Sequence, residues 1–132
     1  MRRAALWGAL LAVPLMARAE ELPVPSGQTV TFQEVIRDAR GAAGLTYRFR
    51  FVAPGIAREG GSIPFEAAAA DMEHLCNSFV VDRLSDTGPK PARVIVSMSD
   101  RPTEFGAAVP EATQFFEAYR IEKGVCIWEG VW

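Results

Sequence analysis

Apolar positions along the chain repeat with two periods. Phe65, Ala68, Ala69, Met72, Leu75, Cys76, Phe79 and Val80 recur every three or four residues, which predicts a helix with one buried stripe. Asp71, Glu73, His74, Asn77 and Ser78 fall on the opposite, polar face. Pro64 stands where a first-turn proline is tolerated, and Glu66 suits the positive end of the helix dipole. The turn-rich run Ser85-Asp86-Thr87-Gly88-Pro89 is expected to end the helix before Ser85.

A period of two marks the strands. Over residues 45–52, Leu45, Tyr47, Phe49 and Phe51 alternate with Thr46, Arg48 and Arg50, giving one apolar and one basic face. Residues 93–98 hold the β-branched run Val94-Ile95-Val96, typical of a buried strand. Residues 115–122 and 125–129 flank Lys123-Gly124 and predict a hairpin. Near the front, Thr31-Phe32-Gln33-Glu34 fits a capping box opening a short helix to about Ala39. A strand through Val30 and Phe32 fits almost as well. Gly41-Ala42-Ala43-Gly44 and Gly60-Gly61 read as turns, not phosphate loops. Together these elements predict an α+β fold: one main helix packed on a roughly four-stranded, largely antiparallel sheet with a C-terminal hairpin. If the strands at 45–52 and 93–98 are neighbours, the long connection between them makes them parallel.

The hairpin register bears on the two cysteines. A two-residue loop pairs Glu122 with Val125, Ile121 with Cys126, Arg120 with Ile127 and Tyr119 with Trp128. Opposed residues share a face, so Tyr119, Ile121, Cys126 and Trp128 form one apolar face. Cys76 lies on the apolar stripe of the helix. Two independent periodicities therefore aim both sulfurs into one core and predict a Cys76–Cys126 disulfide. The outer sheet face then carries Arg48, Arg50, Arg120, Glu122 and Glu129.

The N-terminus changes the picture of where such a bridge would form. Arg2-Arg3, the uncharged and mainly apolar stretch 4–17, and Ala17-Arg18-Ala19 have the layout of a cleaved secretory signal over residues 1–19. The stretch is shorter than the ~20 residues of a membrane span and contains Pro14. The expected mature chain is a single domain of residues 20–132, periplasmic or secreted, with no membrane anchor after cleavage. An oxidising compartment agrees with a paired-cysteine count. Losing Arg2, Arg3 and Arg18 takes the net charge from −2 to −5. An acidic domain is poorly suited to nucleic acid or to anionic membrane surfaces, whose recognition needs clustered Lys and Arg.

Candidate chemistry is sparse. His74 is the sole histidine, with Asp71 and Ser78 one turn to either side, but a triad on a solvated helix face has neither desolvation nor an oxyanion hole. One histidine also leaves too few ligands for structural zinc, and no motif implies a cofactor. Among the carboxylates, Glu117 falls on the core-facing side of its strand, where burial raises a carboxyl pKa; at a sheet margin it would instead pair with an arginine. The arginine-bearing outer face (Arg48, Arg50, Arg120) is the candidate binding face. Its structural alternative is a ladder of cross-strand Arg–Glu pairs. Residues 99–112 form a longish connection of the kind that often holds function.

Arg48-Phe49-Arg50-Phe51-Val52-Ala53-Pro54, Asp71-Met72 with Leu75-Cys76, Phe105-Gly106, and Gln114 through Tyr119-Arg120 into Cys126-Ile127-Trp128-Glu129 resemble an uncharacterised family of short exported bacterial proteins carrying a domain of unknown function. Some members of that family are labelled acetolactate synthase. This chain gives the label no support: it is far shorter than such thiamine-diphosphate enzymes and lacks the Gly-Asp-Gly segment that opens their cofactor motif. The resemblance implies a secreted, single-bridge domain and no particular activity. The reading is a non-catalytic binding or interaction module whose partner is a periplasmic protein or a small anionic ligand. The alternative is a small hydrolase or isomerase using carboxylates such as Glu117. Expressed with its leader in a Gram-negative host, the protein is expected in the periplasm with Glu20 as its first residue. Intact mass that retains residues 1–19 would reject the export reading.

Overall fold

The computed structural model describes residues 20–41 and 44–130. The expected leader at 1–19 and Ala42-Ala43 of the expected turn lie outside them.

Among the described residues five strands form one sheet in sequential order: β1 (Thr31–Gly41), β2 (Gly44–Val52), β3 (Arg93–Ser99), β4 (Gln114–Glu122) and β5 (Val125–Trp128). All neighbours are antiparallel except β2 and β3, which run parallel. Parallel neighbours need a crossover. Here it carries a 3-10 turn at Pro54–Ile56 and then the helical run α1 (Phe65–Leu75), a π turn (Cys76–Val80) and α2 (Val81–Thr87). The helix lies on the face of the sheet that holds Tyr47, Phe49, Phe51, Val94, Val96, Met98 and Tyr119, all buried. Phe32, Phe49, Phe51 and Phe79 make a ring cluster with centroids 4.9–6.2 Å apart.

The expected architecture holds, with one more strand than the four foreseen. Residues 31–41 take the strand alternative rather than the capped helix. Phe32 and Val35 face Phe51 and Phe49 across the β1–β2 pair, and burying them there outweighs a local cap. The extra residue of a bulge between Phe32 and Glu34 lets both Phe32 and Val35 face the core. The helix also runs past its expected end. Ser85 and Asp86 continue it in solvent, and the stop comes at Gly88 (φ +153°), where an added Cβ would meet the Tyr47 hydroxyl at 2.8 Å. That hydroxyl donates to the Pro89 carbonyl at 2.5 Å. The hairpin has the foreseen register, and Lys123 and Gly124 both take positive φ, as a two-residue turn demands. Trp128, on the face expected to be apolar, is 55% exposed and borders an open groove together with Phe65 and Glu73 of α1.

Cys76 and Cys126 are joined, fastening the edge strand β5 to the middle of the helical run. Asn77 adds a second tie, its Oδ1 accepting the Cys126 N–H at 2.9 Å. Asp71 departs from expectation. It is fully buried, not on the solvated face, because it borders Ala68, Met72 and Leu75 and the N-terminal segment folds over it. Its carboxylate accepts from Ser26 N–H (2.9 Å), Ser26 Oγ (2.5 Å) and Gln28 Nε2 (2.7 Å). His74 stays exposed, and Ser78 Oγ donates to the His74 carbonyl rather than to its ring. The three side chains do not form a triad. Asp71→Ala is expected to lower unfolding free energy by about 2–4 kcal/mol, since buried donors lose a charged acceptor. His74→Ala should stay within about 0.5 kcal/mol. Denaturant titration of both variants checks the contrast, and equal effects would contradict it.

Candidate functional site beneath the β3–β4 loop

Among the described residues no helix covers the outer face of the sheet. Its centre is Arg48 and Arg50 on β2, Ile95 and Ser97 on β3, and Phe116 and Ala118 on β4, brought side by side by the strand register. The segment between β3 and β4, the longish connection expected to hold function, folds back over this face. Sequence reading offered the arginine face and the loop as separate candidates; they are two walls of one site.

The loop is closed at its base by Asp100 and Thr113. Their backbones pair (Asp100 N–H to Thr113 O, 3.0 Å), and Thr113 N–H donates to Asp100 Oδ1 at 2.8 Å. Arg58, from the crossover, holds the returning limb through the carbonyls of Pro110 and Ala112 at 2.9 and 3.0 Å. Thr103 fixes the outgoing limb. Its carbonyl accepts from Arg50 Nη2 and from Gln33 Nε2, both at 2.9 Å, and its hydroxyl accepts a further Arg50 bond at 2.9 Å. Gln33 is the residue at the β1 bulge, a device that re-aims a side chain. Arg50 also pairs with Glu34 at 2.7 Å. It is only 6% exposed, which corrects the expectation of a solvated arginine. The assignment of faces was right; the loop supplies the burial.

Between loop and sheet lies a cavity of about 240 Å³, lined by Gln33, Arg48, Arg50, Ser97, Phe105 and Phe116 among others, with Glu104 beside them. Phe105 and Phe116 are half exposed, at 48% and 52%. The Arg48 guanidinium carbon lies 5.8 Å from each ring centroid, and Arg50 lies 5.6 Å from Phe105.

Elsewhere on this face the Arg–Glu ladder exists. Arg50 pairs with Glu34, Arg93 with Glu129 (2.7 Å) and Arg120 with Glu122 (2.8 Å). Arg48 breaks the pattern. It forms no ion pair or hydrogen bond among the described residues, and its Nε is buried without an acceptor. Burial holds its pKa below the ordinary arginine value, and the Arg50 charge adds to the effect. Arg48 and Arg50 therefore share the site, whereas Arg120 is exposed, satisfied by Glu122 and outside the cavity.

Glu117 is not paired to an arginine. It accepts from Trp128 Nε1 at 2.5 Å and lines an open groove with Phe65, Glu73 and Tyr119. The Tyr119 phenol is pushed well above its usual pKa, first by burial and then by Glu117 and Glu73. Among the described residues no group of three His, Cys, Asp or Glu side chains is placed to hold a metal ion.

A family model matches residues 9–131. The chain belongs to DUF6497, a family of unknown function. No curated protein and no solved structure matches it. For this member of DUF6497 the functional argument therefore rests on its own geometry. Sequence reading missed Gln33, Thr103, Phe105 and Phe116. One signal was present: Phe116 is an aromatic in the solvent phase of β4, between Gln114 and Ala118, and an aromatic there implies a cover.

Asp100 tests whether the loop is a built element. Arg101 donates to its carboxylate, and this, with the Thr113 N–H, holds the carboxyl below the usual aspartate range against the opposing effect of burial. Arg101 is half in water and the pair itself adds little. A depressed folded pKa gives stability that is present above about pH 3.9, the unfolded value, and is lost as pH falls through the folded one. Asp100→Asn should cost about 1–3 kcal/mol at pH 7. The difference from wild type should shrink only below pH 4. Denaturant melts from pH 2 to 7 check this, and a gap that closes near pH 6 would contradict it.

Proposed function

We propose that the chain is an exported, non-catalytic binding module and that the cavity beneath the β3–β4 loop binds a small anionic ligand. The observation that carries the reading is Arg48. Burying the Arg48 Nε–H without an acceptor is costly, whereas Arg50, Arg93 and Arg120 each have a carboxylate within 2.8 Å. A carboxylate or similar anion entering the cavity supplies the missing partner through a charge-assisted hydrogen bond to the guanidinium. Arg50 stands in the same wall, its charge paired with Glu34 and its donors committed to Thr103 and Glu34. The half-exposed rings of Phe105 and Phe116 give the ligand apolar walls.

Export is supported by the leader layout and by a disulfide, the chemistry of an oxidising compartment. A carboxylate-dependent enzyme is the weaker reading. Glu117 is tied to an indole and Glu73 is exposed on the helix, so neither has the desolvation that tunes a catalytic acid. Among the described residues no helix is long and apolar enough to cross a membrane.

The two arginines should separate on mutation. Arg50→Ala removes bonds to Thr103 and Glu34 and is expected to cost about 2–4 kcal/mol and loosen the loop. Arg48→Ala removes an unpaired charge and should leave the melting temperature unchanged or raise it. Small carboxylates should shift the Arg48 Nε–H resonance of wild type and raise its melting temperature in proportion to the logarithm of concentration at saturation, an effect absent in Arg48→Ala. If no anion moves that resonance, the cavity is not the binding site.

A further inference from the structure

The face of the sheet that carries the helix has an opening of its own. α1 places Phe65, Ala69 and Glu73 at four-residue spacing, in one stripe. Glu117 and Tyr119, alternate residues of β4, share one side of the sheet, and Trp128 of β5 stands opposite Tyr119. Between helix and strands lies an open groove of about 400 Å³, in the size range of small-molecule sites. It stays open because the helix meets it partly with Ala69 and Ala70, whose methyl groups cannot fill it. Its walls are tied covalently, since the Cys76–Cys126 bridge joins the helix just beyond Glu73 to β5 just before Trp128.

Two properties of the walls point to a cation. The first is aromatic surface. Phe65 and Trp128 are 45% and 55% exposed. Phe65 is braced edge-on against Phe115, with centroids 5.2 Å apart. Trp128 is braced by its indole N–H, which donates to Glu117. A carboxylate on that N–H polarises the ring and makes its face more negative, and an indole is already the best aromatic partner for a cation. The chain's own guanidinium groups stack on Phe79, Phe105 and Phe116. Among the described residues none stacks on Phe65 or Trp128.

The second property is charge. Glu73 and Glu117 line the groove, and no Lys, Arg or His lines it with them. Glu73 is exposed, and among the described residues neither carboxylate has an ion-pair partner. Their fields meet at Tyr119, whose phenol pKa is raised first by burial and then by both carboxylates. An anion is repelled from such a groove, and a neutral apolar molecule gains nothing from its charges.

We propose that the groove binds a free alkylated ammonium ion, a small molecule bearing a trimethylammonium group, through the faces of Trp128 and Phe65 and the carboxylates of Glu73 and Glu117. A primary ammonium is compact and strongly hydrated, so it sheds water at greater cost. The trimethylammonium group spreads its charge over methyls that the apolar walls also reward. The site is separate from the anion cavity, which lies on the other face of the sheet.

The test titrates the disulfide-bonded protein with choline, following the Trp128 indole N–H resonance and, in every variant, saturation transfer to the ligand methyl signals. Choline is expected to shift the indole resonance saturably and to leave the Arg48 Nε–H unmoved. The neutral isostere 3,3-dimethylbutan-1-ol should bind at least about ten-fold more weakly, and ethanolamine about three-fold or more. Glu73→Gln, an exposed change, should weaken choline about three-fold. Trp128→Leu, checked by melting to be folded, should weaken it at least about ten-fold. Glycerophosphocholine separates the sources: its phosphate should make it weaker than choline, and equal or tighter binding would replace the free cation with a lipid headgroup. If 3,3-dimethylbutan-1-ol matches choline, or if choline leaves the indole resonance in place, the proposal falls. Neither result touches the anion cavity, whose own readout is Arg48.

Discussion

The parallel pairing of β2 with β3 sets the terms for everything else. Parallel neighbours cannot be joined by a tight turn, so the chain must cross one face of the sheet, and the crossover carries the only long helical run among the described residues. That helix covers Tyr47, Phe49, Phe51 and their neighbours. It leaves the opposite face of the two central strands bare, with Arg48 and Arg50 at its middle. The β3–β4 connection answers that exposure. It folds back, and Arg50 bonds it down through both the carbonyl and the hydroxyl of Thr103. Burial of Arg50 is thus a consequence of topology, and desolvation of Arg48 follows from the burial of its neighbour.

Cover and cavity differ in how well their polar groups are matched. Around Thr103, Asp100 and Thr113 the loop's main hydrogen-bonding groups are paired across short distances, the pattern of an ordered element. On the sheet side, Arg48 Nε and Gln33 Oε1 are buried without a partner.

Much of the frame was legible because local periodicity reports which face a residue occupies. The helix stripe, the alternation in β2, the hairpin register and the convergence of Cys76 and Cys126 all came from spacing alone. What periodicity does not report is what lies above a face. Gln33 meets Thr103 across 70 residues and Asp71 meets Ser26 across 45. Nothing local announces either contact. The Thr31–Glu34 segment fitted a helix cap slightly better than a strand, and tertiary burial of Phe32 and Val35 decided for the strand. Arg50 looked like a solvated charge for the same reason: its alternation was read correctly, but its cover comes from a segment beyond the next strand.

The cystine has a topological consequence distinct from its effect on stability. Residues 76–126 form a covalent ring that contains β3, the whole loop and β4. A protease that nicks the exposed crest near Phe105 opens the ring without dividing the molecule, because the two pieces remain linked through sulfur. In an oxidising compartment the loop can thus be cleaved and its strands still stay in one sheet; only a reductant turns such a nick into two separate chains.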